Sequence, residues 1–342
     1  MRLLHIIAGG RVGGAERFFD DLVAALAVRG VNQHAVTRDY ADRRAHLEAH
    51  GCAVTLARLG GPLDLVSGAK ARRAAKTCAP DAVLAWMSRG ARFAPTGNWP
   101  VVGRLGGYYD LKYFRRCAHL ICNTPGLVRH CTDSGWPADR VTYIPNFSPV
   151  SSDAPVQRET LDTPTGATVL LVLARLVHSK GIDIAIEALR RLPSSVHLWI
   201  AGDGPEGQVL RAQAASQGVA ERVKFLGWRQ DRDALIKSAD VCLVCSREEP
   251  FGNVIVNAWT NKKPVVAAAS SGPAFLIQDR ENGVLVEPDS ADALAEAISA
   301  LIDDPDSAQT LAQSGYEKSR GEFSEDAVVA SYLALIERMA AD

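Results

Sequence analysis

The sequence predicts an α/β fold of two Rossmann-like domains, each a parallel sheet covered on both faces by helices. Three observations carry this. The chain has 342 residues, the length of two domains. Short apolar runs of strand length alternate with stretches of helical apolar spacing through both halves. The alternation breaks once, at 147–166, where Ser, Pro, Asp and Thr leave little to bury and read as a linker. The expected organisation is a first domain over 1–150, a second over 167–325, and a closing helix over 326–342 able to pack back on the first.

Taken in order, Leu3 to Ala8 reads as a strand leading into a glycine-rich turn, Gly9-Gly10-Arg11-Val12-Gly13-Gly14. From Ala15 to Val28, residues Phe18, Phe19, Leu22, Val23 and Leu26 fall at i, i+3, i+4 spacing, a helix with one buried face that Gly30 stops. Strands follow at His34–Thr37 and Cys52–Leu56, with helices at Ala41–His50 and Ala69–Cys78. Asp81–Trp86, Pro100–Gly103 and His119–Asn123 are strands, Pro125–Ser134 is a helix, and Val141–Asn146 ends the half. The pattern restarts at Thr168–Ala174. Further strands are expected at Val196–Ala201, Val223–Leu226, Val241–Cys245, Val265–Ala269 and Val284–Val286. Helices are expected at Ile182–Arg191, Glu206–Gln217, Asp231–Ala239, Val254–Lys262, Ala291–Ile302, Gln309–Phe323 and Ser324–Met339.

Composition bounds the class. Hydrophobic residues make up 47% and charged residues 23%, ordinary for a globular protein with full cores. No apolar run reaches the roughly 18–20 residues that span a bilayer, and the apolar N-terminal run is too short for a signal peptide. The seven cysteines are odd in number and scattered, which argues for a reducing cytoplasm. Cys242 and Cys245 have C-x-x-C spacing, but on a strand they point to opposite faces, so they read as buried small hydrophobes. His5, His34, His119 and His197 lie in or beside apolar strands and read as structural. The net charge of −1 hides an asymmetry: residues 1–147 carry 20 Lys and Arg against 11 Asp and Glu, and residues 148–342 carry 18 against 28. Mutual attraction of the halves is one reading. The other is a basic face for an anionic acceptor or a membrane surface, with local clusters at Lys70–Lys76 and Lys112–Arg116.

The chemistry-bearing residues fall at the ends of strands. The strand ending at Cys245 runs into Ser246-Arg247-Glu248-Glu249-Pro250-Phe251-Gly252-Asn253-Val254 and then a helix. That places Glu249, Phe251 and Gly252 at the carboxyl edge of a parallel sheet, where ligands bind in such folds, and beside a helix start that suits anions. An ordinary βα turn with a surface acid fits the local pattern as well. Arg175 follows the strand ending at Ala174, and Lys180-Gly181 opens the next helix. A guanidinium, an ammonium and a helix start on one loop make a diphosphate site, unless they are two solvated surface cations. His178 sits in the same loop within reach of a phosphate. Gly204, in Gly202-Asp203-Gly204-Pro205, lets backbone approach a ligand.

Together these residues resemble the retaining glycosyltransferases of the GT-B fold, family 4 (glycosyl transferases group 1). The resemblance rests on Ala174-Arg175 with Lys180-Gly181, Gly202-Asp203-Gly204-Pro205-Glu206, Val223-Lys224-Phe225-Leu226-Gly227, Glu249-Pro250-Phe251-Gly252, Lys263-Pro264-Val265-Val266-Ala267 and Asn282-Gly283-Val284-Leu285-Val286. The Gly9–Gly14 turn with Ala15-Glu16 resembles the family's acceptor-side loop. The resemblance implies two sheets facing a central cleft and a sugar moved from a nucleotide-diphosphate donor to a glycan or glycolipid, such as a lipopolysaccharide core. It implies no cofactor and no metal. Arg175 and Lys180 are then expected to stabilise charge growing on the departing diphosphate, and Glu249 to orient the sugar. Gly13 and Gly14 are expected to bring backbone N–H groups to the phosphate. Gly204, Phe251, Gly252, Asn253, Val254 and Asn257 complete the expected donor site, and Trp228 and Arg229 are placed to border the base.

Three positions depart from the family pattern. Asn257 stands where a second glutamate would grip ribose, Phe275 stands where another glutamate falls, and the stretch from Val101 to Asp110 lacks a histidine. Arg104, Tyr108 and Asp110 are the acceptor-side candidates in that stretch. The departures leave open an inactive sugar-nucleotide-binding relative and a sugar-nucleotide epimerase. A nicotinamide-dependent dehydrogenase is a weaker alternative, because Gly9–Gly14 does not match G-x-G-x-x-G. The expected place is the cytoplasm, with peripheral association at an anionic membrane and no nucleic-acid partner.

Overall fold

The computed structural model describes residues 1–61 and 63–341. Its internal contacts divide the chain into two compact units, Met1–Phe147 joined by the segment from Ser324 onward, and Ser148–Phe323.

The first unit holds seven described strands: β1 (Arg2–Ile7), β2 (Asn32–Thr37), β3 (Ala53–Leu56), β4 (Ala82–Trp86), β5 (Val101–Leu105), β6 (His119–Cys122) and β7 (Val141–Tyr143). They form one sheet in the order β3-β2-β1-β4-β5-β6-β7, and every neighbouring pair is parallel. Helices α1 (Gly14–Val28), α2 (Ala41–Ala49), α3 (Leu65–Cys78), α4 (Met87–Phe93) and α5 (Pro125–Asp133) connect them. Strands such as Ala82–Trp86 are apolar throughout because both faces of the sheet are covered. The order reverses between β1 and β4, which opens a crevice at the carboxyl ends of those strands. The glycine-rich turn after β1 lies at that point.

The second unit repeats the plan with β8 (Thr168–Leu173), β9 (Val196–Ala201), β10 (Val223–Gly227), β11 (Val241–Val244), β12 (Val265–Ala268) and β13 (Val284–Val286), all parallel, in the order β10-β9-β8-β11-β12-β13. Its helices are α6 (Ile182–Leu189), α7 (Gly207–Ser216), α8 (Arg232–Ser238), α9 (Asn253–Thr260), α10 (Ser271–Leu276), α11 (Ala291–Asp303) and α12 (Pro305–Arg320). Here the reversal falls between β8 and β11, so the loops carrying Arg175, Lys180 and Glu249 flank the switch point.

The last helix, α13 (Glu325–Ala341), belongs to the first unit. It buries Val328, Val329, Tyr332, Leu335 and Ile336 in the core that also holds Phe18 and Trp86. Arg29, which follows the end of α1, fastens its first turn through Glu325, at 3.2 Å, and Asp326.

The structure departs from the sequence expectations in four places. Helix α3 starts at Leu65 rather than Ala69, because Asp64 caps it by accepting from Ser67 N at 3.0 Å. Helix α12 starts at Pro305 rather than Gln309, where Asp304 accepts from Ser307 N at 3.0 Å and proline fits the first turn. Helices α4 and α10 were not expected; at 7 and 6 residues they are too short to show a period. The segment 147–166 has a linker's composition, yet it is docked on the second unit. Arg158 donates to Ser238 O and Ala167 O and pairs with Asp240 at 2.8 Å, and Trp199 donates to Thr163 Oγ1 at 2.8 Å. Cys242 and Cys245 are free and buried in the sheet region, where burial pushes both thiols up to about 12.

Candidate active site

Lys180 and Glu249 meet. The Lys180 ammonium lies 2.6 Å from Glu249 Oε2, with 22% and 19% of the two side chains exposed. Two loops at the carboxyl edge of the second sheet bring them together. The first runs from β8 through Arg175 to a single 3₁₀ turn at His178–Lys180, and Gly181 then adopts φ 62° to enter α6. A Cβ at Gly181 would overlap the carbonyl oxygen of Cys245, so only glycine lets this loop close on the end of β11. The second loop carries Glu249, whose carbonyl accepts from Gly272 N at 2.7 Å and Ser271 Oγ at 3.2 Å. Helix α10 thereby holds the backbone of the acid. Arg175 follows β8 and is exposed, so it stands at the same edge without an ion pair among the described residues.

The sequence reading missed the residue that joins these loops. Arg247 donates to His178 O at 2.6 Å and to both Asp183 carboxylate oxygens at 2.9 and 2.7 Å, and it contacts Asp289 at 2.6 Å. One guanidinium thus ties the Lys180 loop, the first turn of α6 and the Glu249 loop. Arg247 also holds the Asp183 carboxyl below its usual range, against the upward push of burial. The sequence held a signal for it: an arginine two residues past Cys245 at a strand end, with Asp183 in the first turn of the neighbouring helix.

The other expected donor residues separate by environment. Gly204 lines a cavity of about 370 Å³ with Leu176, Gly202, Arg211, Phe225 and Gly227, beside the Arg175 loop. Arg211 stacks over the Phe225 ring at 4.3 Å. Phe251 is 3% exposed and packs against Phe323, so it offers the site its backbone alone. Gly252 takes φ 101° as the residue before α9, and Asn253 and Val254 form the first turn of that helix. Asn257, one turn on, is buried and donates its amide to Ser148 Oγ at 2.6 Å. Trp228 stays 54% exposed, and Arg229 is paired with Asp231 at 2.6 Å. His178 is exposed. Among the described residues, no three His, Cys, Asp or Glu side chains group as a metal site.

In the first unit, Gly13 precedes α1 and Gly14 opens it. Glu16, which the sequence shows only as part of the turn's resemblance, explains the glycines. Its carboxylate folds under the turn, 8% exposed, and accepts from Gly10 N at 2.8 Å. A Cβ at Gly9 or Gly13 would overlap that carboxylate. Arg43 of α2 grips the same turn from outside, donating to Gly10 O at 3.1 Å and Arg11 O at 3.2 Å. Of the acceptor-side candidates, Tyr108 is 52% exposed and packs edge-on against His130. Asp110 is exposed; it caps the turn at Lys112 N and pairs with the Lys112 ammonium at 2.6 Å. Arg104 differs from both. It is 1% exposed, bonded to Asn146 Oδ1 and Leu105 O, and lies over Phe18 and Trp86. Its stem points into the core because β5 is covered on both faces, so the structure gives it a packing environment rather than an open surface.

Comparison with known proteins adds to this geometry. The sequence profile described as Glycosyl transferases group 1 matches residues 153–318, and that described as Glycosyltransferase Family 4 matches residues 12–151. The chain is 37% identical over 336 residues to the lipopolysaccharide core biosynthesis glycosyltransferase LpsE of Rhizobium meliloti, covering 96% of each protein. It is 33% identical over 343 residues to LpsD of the same organism, another lipopolysaccharide core biosynthesis glycosyltransferase, covering 99% of this chain and 98% of that one. Among solved structures, Anabaena HepE in complex with UDP and glucose superposes with a TM-score of 0.87 at 23% identity, covering 99% of this chain and all of that one.

Proposed function

The chain belongs to the family 4, group 1 glycosyltransferases and has their GT-B fold, and from that premise we propose that it moves a sugar from a nucleotide-diphosphate donor to a lipopolysaccharide-core glycan, with retention at the anomeric carbon and without a metal ion. The Lys180–Glu249 pair at the switch point of the second sheet carries this reading. A part-buried ammonium and a carboxylate fixed 2.6 Å apart are set to meet a phosphate and a sugar hydroxyl side by side. As the bond between the anomeric carbon and the phosphate oxygen breaks, negative charge grows on the diphosphate. Lys180 and Arg175 are the cations at hand to stabilise it, and the amino end of α9 adds its dipole. The cavity of about 370 Å³ beside Arg175 has room for a nucleoside. The donor class is supported by HepE, solved with UDP and glucose, and the acceptor class by LpsE and LpsD.

The test is transfer from a panel of sugar nucleotides to truncated lipopolysaccharide core, with the product's anomeric configuration read by NMR. The reading predicts transfer from one donor with its configuration kept, unaffected by a chelator. An inverted linkage would overturn retention, and loss of turnover with the chelator would overturn metal independence. Tight nucleotide binding with no transfer would favour an inactive relative. Conversion of the sugar nucleotide without acceptor would favour an epimerase.

A further inference from the structure

We propose that the exposed face of helix α3, with the turn before it, is a docking surface for an anionic lipid bilayer. Three large apolar side chains stand in solvent there: Leu63, Leu65 and Val66 are 92%, 79% and 67% exposed. Their exposure is not the looseness of a free loop. Asp64 accepts from Gly60 N at 2.9 Å, Ser67 N at 3.0 Å and Ser67 Oγ at 2.6 Å, and Ser67 Oγ in turn accepts from Leu59 N at 2.9 Å. Those bonds hold the Asp64 carboxyl down at about 2, so it remains an acceptor at any physiological pH. The turn is therefore built, and it is built with its apolar side chains outward.

The rest of the helix supplies the charge. Helix α3 contains Lys70, Arg72, Arg73 and Lys76 and no Asp or Glu. All four cations are exposed, and Arg58 is exposed on the loop before them. None forms an ion pair with a carboxylate among the described residues. Lys70 donates to Leu56 O at 2.8 Å, and Arg58 stands close enough to help hold the Asp64 carboxyl down. The buried positions Ser67, Ala71, Ala74 and Ala75 face the sheet. At about 100° per residue, Leu65, Val66, Arg72, Arg73 and Lys76 share one outward arc of roughly 120°. The arc runs about 16 Å from apolar tip to cationic end.

An outward stripe of leucine, valine and unpaired cations has a physical partner. Apolar side chains at a helix start enter the boundary between headgroups and acyl chains, while cations behind them meet lipid phosphates. Nucleic acid would satisfy the cations and leave the leucines in water. The second basic cluster is a poorer candidate, because Asp110 already neutralises Lys112. The surface deepens the reading of a lipid-borne acceptor and rests on it for its purpose. The assay below needs neither donor nor acceptor, so the two can fail separately.

The experiment is flotation of the full chain with vesicles of neutral phosphatidylcholine or with 30 to 40 mol% (about a third) phosphatidylglycerol added, at low and high salt. Wild type is expected to float with the anionic vesicles at low salt, at least tenfold more than with neutral ones. Leu63→Ser/Leu65→Ser/Val66→Ser is expected to lose at least tenfold in binding at both salt concentrations. Arg72→Gln/Arg73→Gln/Lys76→Gln is expected to lose binding and most of its salt dependence. All six side chains point into solvent, so both variants should keep the wild-type melting temperature and nucleotide binding. Equal flotation of wild type and either variant would overturn the proposal. So would capture of DNA in place of vesicles, or a dimer in sedimentation velocity that the serine variant dissolves while wild type ignores vesicles.

Discussion

Lys180 and Glu249 each neutralise the other while about a fifth of each side chain is exposed. Pairing at that depth contributes less than a fully buried pair, about 1–2 kcal/mol, because water still screens it. Its larger consequence is order: both groups are fixed before a ligand arrives, so less rotamer freedom is lost on binding. Elsewhere single residues set the response to acid. His119 is 2% exposed and bonds Thr142 Oγ1 at 2.7 Å. Burial, with Arg338 nearby, pulls it down from 6.5 to about 4. In the unfolded chain it titrates near 6.5, so between pH 6.5 and 4 the unfolded state binds the extra proton. The stability it contributes is therefore complete above pH 6.5 and is lost as pH falls toward 4. His119→Gln should remove this part of the acid sensitivity, on the order of 2–3 kcal/mol. Melting temperatures at pH 7 and pH 4.5 check it: the variant should lose less than wild type, and an equal loss would contradict the assignment.

At the scale of elements, the candidate site depends on how closely loops approach strands. Gly181 takes φ 62° with Cys245 O against the place a Cβ would occupy. Gly218, at the end of α7, has a similar φ of 72° but open space around it. Gly218→Ala should cost about 1 kcal/mol, the strain of a left-handed alanine alone. Gly181→Ala adds an overlap with backbone and should cost about 3 kcal/mol or more, with loss of nucleotide binding as the Lys180 loop moves. Urea titration of the pair separates strain from overlap; equal costs would show that the loop gives way easily. The sequence makes some of this readable and hides the rest. The strand ends that carry Arg175 and Glu249 are marked by apolar runs broken at glycine and proline. The cluster around Arg247 is marked only by a strand-end arginine and a helix-start acid, because its acceptors lie far from it in the chain: His178 and Asp183 come 69 and 64 residues earlier, and Asp289 lies in a later loop. The roles of Glu16 and Arg43 are unmarked for another reason: their shared partner is the backbone of one turn, which carries no side-chain signal. Asn257, expected by resemblance where an acid would grip ribose, donates its amide N–H to Ser148 Oγ, a partner that no local pattern marks. Short α4 escapes periodicity, and Gly90 within it packs where a Cβ would meet Ile6 O.

For the whole molecule, two sheets of the same plan follow from one repeated rule. Apolar runs covered on both faces become parallel strands, and crossover helices return the chain each time. The alternation is legible from end to end, whereas the order of the strands, with its one reversal in each sheet, is set by packing that the sequence pattern does not mark. No helix among the described residues is long and apolar enough to cross a membrane. The return of α13 to the first unit rests on its inward Val328, Tyr332 and Ile336 and on Arg29 at its start. On the proposed function, the second unit holds a nucleotide through its diphosphate. Calorimetry with nucleoside mono- and diphosphates of uridine, guanosine and adenosine, on wild type and on Arg175→Ala and Lys180→Ala, is the deciding measurement. One diphosphate should bind at least tenfold tighter than its monophosphate, and each substitution should erase most of that difference, about 1–3 kcal/mol, while monophosphate binding stays. Mono- and diphosphates bound alike by wild type, or a preference that survives both substitutions, would contradict it.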